Sequence, residues 1–249
     1  GKEIQTTNIT KRQRIQDLLI ILILHRNEGL PKKVIFDLFW ENYSEECKRT
    51  NLNTLIYRLK KVFGTNNNFF KIDRHSISLN MDHVDIDIDK FQTGIRTFEN
   101  MENTGNIEEA INFSFNILEL YKGSFLDNLN TKIPIIKERM EFKHLYQTLL
   151  FRTLRLTVYR GLYIESLKLG KKLISSDPYC EPAYRLIMTA LSFLGNTSEI
   201  TRLYIDLKKK LQDNYSIDPD EKTLLLKNKL LLGVNPEQYE ILEEVSIFF

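Results

Sequence analysis

The chain of 249 residues is long enough for two ordinary domains, each with its own core, and its 42% hydrophobic and 27% charged residues exclude a disordered protein. The formal net charge of +2 hides a polarity, because residues 1–80 carry 14 Lys/Arg against 8 Asp/Glu and the remainder carries 21 against 25. A basic first third on an acidic remainder suits a polyanion at one end and a protein partner at the other.

Gly (10) and Pro (6) are sparse and apolar residues recur at helical spacing, so the chain is expected to be mainly helical. "KRQRIQDLLIILILHRNEGL" predicts a first helix from about Thr10, which can cap it, to about Arg26. Its run from Leu18 to Leu24 is far shorter than the ~20 residues of a membrane span, and charges flank it, so it reads as a buried core helix. No leader pattern precedes it, and the expected location is the cytoplasm. Cys47 and Cys180 are either small hydrophobes in a reducing compartment or a disulfide pair.

Pro31 suits the first turn of a second helix, "PKKVIFDLFW", whose expected core face is Val34, Ile35, Leu38 and Phe39, closed by Trp40. Ser44 can cap a third helix, with Glu45 and Glu46 in its first turn, where the helix dipole favours acids. In "KRTNLNTLIYRLKKVF" Leu52, Leu55, Ile56, Leu59 and Phe63 share one side, and polar residues share the other. Taken alone, that second face is either merely solvated or a reading surface.

"FFKIDRHSISLN" alternates Phe70 and Ile72, then Ile77 and Leu79, with polar residues, which predicts a hairpin tipped by Arg74 and His75. Neither tip residue accepts positive φ easily, so the turn signal is weak. Three helices followed by a hairpin is the order of a winged helix, whose third helix enters the major groove. In that geometry Thr50, Asn53, Thr54, Tyr57, Arg58 and Lys61 are candidates for base edges, since their amides, hydroxyls and guanidinium match the groove's donors and acceptors. Lys32, Lys33, Arg49, Lys71, Arg74 and His75 are candidates for phosphates.

"MDHVDIDIDKF", from Met81, lacks the Gly and closing Glu of a divalent-metal loop, and reads as an extended linker in which Asp87 or Asp89 caps the next helix. Three later stretches superpose, beginning at Gly105, Gly161 and Gly195, the last two 34 residues apart, which is the tetratricopeptide period. The small position five residues on holds Ala110 and Ser166, but Ile200 in the third copy, so the repeat is degenerate. Stacked helix pairs of this kind either dock a partner or support the first domain. A short C-terminal helix follows, with an apolar "SIFF" tail.

His25, His75, His83 and His144 show no metal-ligand spacing, and neither a phosphate loop nor a nucleophile motif occurs. No enzyme activity, metal or cofactor is expected.

"FDLFWENYSEECKRTNLNTLIYRLKKVFG", the hairpin, "VDIDIDKF", "YKGSFL", "SSDPYCEPAYRLIMTALSFLGN" and "LYIDLKKKLQDNYSIDPDEKT" together resemble, in that order, the SARP-type bacterial transcriptional activators. The resemblance spans roughly Lys32 to Leu230. It implies an OmpR-type winged helix over 1–82, an all-α, tetratricopeptide-like bacterial transcriptional activator domain over 83–232, and a helix or linker over 233–249. It further implies sequence-specific binding of double-stranded DNA at direct-repeat promoter sites, a homodimer or tandem arrangement, and recruitment of RNA polymerase. Lys48 to Lys61 becomes the recognition helix, with Arg58 and Lys61 at its basic positions, and the hairpin around Arg74 becomes the wing.

Three features depart from the family pattern. Only "GKEIQTTNI" stands where a small sheet usually precedes the first helix, so either the sheet is reduced or a regulatory segment lies outside this chain. Asn53 stands where Arg is frequent, and Ser76 where Gly is common. The alternative function is a tetratricopeptide-like adaptor without DNA binding, which would lack a steep salt dependence toward DNA.

Overall fold

The computed structural model describes residues 13–64, 68–127, 131, 133–237, 240, 241 and 243. The expected Thr10 cap and the "SIFF" tail lie outside these residues. Contacts divide the chain into two compact units, one running to Asp87 and including Leu126–Lys137, the other formed by Ile88–Phe125 and Glu138 onward.

The first unit opens with α1 (Gln13–Leu24), which buries Ile15, Leu18, Ile20, Ile21 and Leu22, as its apolar middle leads one to expect. Asp17 is buried beside them and is satisfied rather than stranded. Its carboxylate accepts hydrogen bonds from the Gln13 amide and, at 2.6 Å, from the hydroxyl of Thr131. That second bond ties a segment distant in sequence into this unit, which chain order does not suggest.

Leu30 and Pro31 form a short strand, β1, that sequence periodicity does not reveal. Pro31 therefore does not open the second helix from within. It precedes the helix with extended ψ of 133° and pairs with Ser76, where a missing N–H costs nothing at an edge. The helix α2 (Lys32–Trp40) then buries Ile35 and Trp40. Val34 and Leu38, expected in the core, are 38% and 51% exposed, because this nine-residue helix meets α3 (Glu45–Phe63) and β1 along a narrow stripe.

On α3 the expected apolar side is buried at Leu52, Leu55, Ile56 and Leu59, with Phe63 half-buried and set edge-on to Phe70. β2 (Phe70–Ile72) and β3 (Ser76–Leu79) form the expected hairpin, and β1 adds to β3, so the sheet order is β1-β3-β2. The antiparallel register pairs Phe70 with Leu79 and Ile72 with Ile77. Phe70, Ile77 and Leu79 face the helices, as period-two alternation requires.

The second unit is helical among the described residues: α4 (Asp87–Asn103), α5 (Ile107–Leu118), α6 (Ile136–Tyr159), α7 (Tyr163–Ser176), α8 (Glu181–Phe193), α9 (Thr197–Tyr215) and α10 (Glu221–Leu231). Gly105, Gly161 and Gly195, the three superposed glycines, all adopt φ between 71° and 79° at the turn between two helices. At each, the following residue's N–H reaches back to a helical carbonyl: Asn106 to Met101, Leu162 to Thr157, Asn196 to Leu191. This is the Schellman closure, and Gly233 with Val234 repeats it a fourth time after α10.

The small repeat positions Ala110 and Ser166 are both fully buried, Ala110 in the main core with Phe98, Leu150, Leu154 and Leu173. Ile200 is equally buried but sits against Met188, Leu191 and Leu230, so in the third copy the larger side chain fills space toward α10. Polar ties reinforce the stack. Arg152 of α6 bridges Glu99 and Glu102 of α4, and Arg155 bridges Glu102. Glu181 of α8 accepts from the Asp220 N–H and the Thr223 hydroxyl, holding the start of α10.

The candidate nucleic-acid interface

The site is built on α3. Ser44 Oγ accepts the N–H of Cys47, Glu45 and Glu46 occupy the positive end of the helix, and Lys60 and Lys61 the negative end. With its buried side packed on α1 and α2, the opposite side is fixed in direction. Thr50, Asn53, Thr54, Tyr57, Arg58 and Lys61 are all exposed, spaced three or four residues apart along one stripe, with Arg49 beside them. Tyr57 is 67% exposed, a large aromatic ring left in water on a face otherwise made of polar groups. The Thr54 hydroxyl donates to the Thr50 carbonyl at 3.0 Å, so toward any outside group it can only accept.

The wing is held by a device that its residue types at the tip do not advertise. Asp73 accepts from the His75 N–H at 2.7 Å, the Ser76 N–H at 2.6 Å and the Ser76 hydroxyl at 2.6 Å. Neither residue of the expected tip, Arg74 or His75, needs positive φ, because the carboxylate closes the turn. The Ser76 hydroxyl, then the backbone bonds from Ser76 and His75, hold the Asp73 carboxyl down to about 2. Ser76, which departs from the glycine common in the family, thus supplies a hydroxyl that glycine lacks.

The phosphate candidates differ in what they already do. Lys32 donates its ammonium to the carbonyls of Asp73 and Arg74, at 2.6 and 3.4 Å, and its N–H to the His75 carbonyl, pinning the wing's turn to the start of α2. Lys71 pairs with Asp82 at 3.1 Å, both exposed, an ion pair of at most about 1 kcal/mol. Lys33, Arg49, Arg74 and His75 are exposed. The structure brings the α3 stripe and the wing into one small unit and adds two groups that sequence order does not single out, Arg14 and Trp40. Arg14 lies over the Trp40 ring, 5.8 Å from its centre. Only the lone tryptophan in a basic segment could have drawn attention to that pair.

Among the described residues no helix is long and apolar enough to cross a membrane. A family model, the bacterial transcriptional activator domain, matches residues 86–231. No curated protein sequence matches the chain. Among solved structures, that of Mycobacterium tuberculosis EmbR in complex with a low-affinity phosphopeptide superposes with a TM-score of 0.72 at 16% identity. The alignment covers 92% of this chain and 61% of that one, and at this identity it speaks for the fold: a winged helix followed by a helical domain. The family match spans more than half of the chain and begins where α4 begins, and with the winged helix before it, it assigns the chain to the SARP-type transcriptional activators that carry the bacterial transcriptional activator domain.

Proposed function

We propose that the chain is a sequence-specific DNA-binding activator that sets α3 in the major groove, its wing along the flanking backbone, and recruits RNA polymerase. The observation that carries this reading is the exposed stripe of α3, six polar or aromatic side chains on one face of a helix whose other face is buried. Arg58 is the central base or phosphate contact, and Asn53, Thr54 and Tyr57 flank it. Lys33, Arg49, Arg74 and His75 meet phosphates directly, whereas Lys32 serves first as the clasp of the wing. Two copies bind direct-repeat sites side by side, and the helical domain offers its surface to the polymerase.

The test is DNA binding by fluorescence anisotropy on duplexes selected from a random pool. A sequence-specific reader enriches a repeated motif, and a probe carrying two repeats binds two chains. Recovery of no motif, with binding equal on all duplexes, would favour the adaptor reading.

A further inference from the structure

In the first unit a cleft of about 570 Å³ opens between the start of α1, the end of α2 and the middle of α3. Its polar lining is Gln13, Arg14, Asn51, Thr54 and Arg58, with Trp40 as a wall. Two guanidinium groups border it and no carboxylate is among its lining residues, so its field favours an anion. Trp40 is 3% exposed and its indole nitrogen, a donor that can accept nothing, is buried with no acceptor among the described residues. Buried polar groups of this kind are nearly always paired in a working protein. The Arg14 guanidinium over the indole face keeps a positive charge at the same wall.

We infer that this cleft is a seat for one phosphate group, gripped by Arg14 and Arg58, with the Trp40 indole N–H as a third donor when the ring turns toward the entering anion. A guanidinium matches a phosphate in a two-point fork, and two of them lining one cleft fix its position. The phosphate comes either from a DNA backbone or from a free phosphate compound. Thr54 and Arg58 belong both to this cleft and to the exposed stripe of α3, so a DNA strand along α3 passes its mouth. For the DNA source the inference rests on the DNA-binding reading above. For the free source it predicts that the compound competes with DNA for Arg58.

Trp40 is the only tryptophan, so emission excited on the red edge of indole absorption, beyond that of the tyrosines, reports on this residue alone. The full chain is titrated with a fluorescein-labelled mixed-sequence duplex at low salt, following label anisotropy and, on unlabelled duplex, Trp40 emission. A parallel titration uses inorganic phosphate. A change in Trp40 emission that saturates with the anisotropy, absent with inorganic phosphate, assigns the seat to the DNA backbone. A change with inorganic phosphate that Arg14→Gln abolishes assigns it to a free phosphate. With DNA as the source, Arg14→Gln, whose circular dichroism should match wild type, lowers the salt slope of binding by about one. Trp40→Phe, read by anisotropy, binds several-fold more weakly. If anisotropy shows DNA binding while Trp40 emission stays flat in both titrations, the seat is wrong and the DNA-binding reading stands. If anisotropy shows no binding, that reading falls, and the phosphate titration alone decides the seat: a flat response overturns it.

Discussion

At the scale of single residues, Asp73 sets the shape of the wing. Its carboxyl is held to about 2 by the Ser76 hydroxyl and the Ser76 and His75 N–H groups, against an unfolded value of 3.8. The contribution to wing stability is therefore complete above about 3.8 and is lost as pH falls through about 2. An NMR titration should find the His75 and Ser76 amide shifts unmoved at pH 4 and a midpoint near 2; a midpoint near 3.8 would mean the turn does not depend on the carboxylate. Ser76→Gly, which restores the residue common in the family, should raise that midpoint. Gly170 carries a second residue-scale constraint. A Cβ there would overlap the end of Ile187, so Gly170→Ala should destabilise the chain by about 1–3 kcal/mol in urea unfolding, despite alanine's better helix propensity. A stabilised variant would contradict the close approach of α7 and α8.

At the scale of elements, α3 is an apolar lock with an exposed polar face. Leu59→Ala removes a side chain buried against its neighbours and should cost about 2–5 kcal/mol of stability. Its DNA affinity per folded molecule should be unchanged, because Leu59 faces away from the stripe; a loss of affinity in fully folded protein would break that division of labour. This division was legible in the sequence, since Leu52, Leu55, Ile56 and Leu59 recur at helical spacing and all are buried. The hairpin was legible too, through the alternation of Phe70, Ile72, Ile77 and Leu79. What periodicity could not show was set by partners distant in sequence. β1 exists only because Leu30 and Pro31 find Ile77 and Ser76, and Val34 and Leu38 stay exposed because, among the described residues, α2 buries only Ile35 and Trp40. Lys32 reads as a free cation in sequence, and only the fold brings the carbonyls of Asp73 and Arg74 to it.

At the scale of the whole molecule, two kinds of order coexist. Residues 1–80 are net basic and the rest net acidic, and the acidic part is a stack whose turns repeat one glycine closure at Gly105, Gly161, Gly195 and Gly233. Three of those glycines were legible because the stretches they open superpose, the last two also at a 34-residue spacing. The fourth was not, because Gly233 stands 38 residues after Gly195, off the 34-residue spacing. The cleft at Arg14, Trp40 and Arg58 was also hidden, since its walls come from three helices that sequence keeps apart. On the proposed reading, the basic winged helix binds DNA largely through counterion release, which charge screening weakens steeply. The direct measurement is the affinity of the full chain for its selected duplex at several salt concentrations, wild type beside Arg58→Ala. The expected result is a linear fall of log Kobs with log salt for wild type, and a loss of about 1–3 kcal/mol for Arg58→Ala. Wild-type binding that is absent at low salt, or equal on every duplex, would contradict the assignment of α3 as a DNA-reading helix.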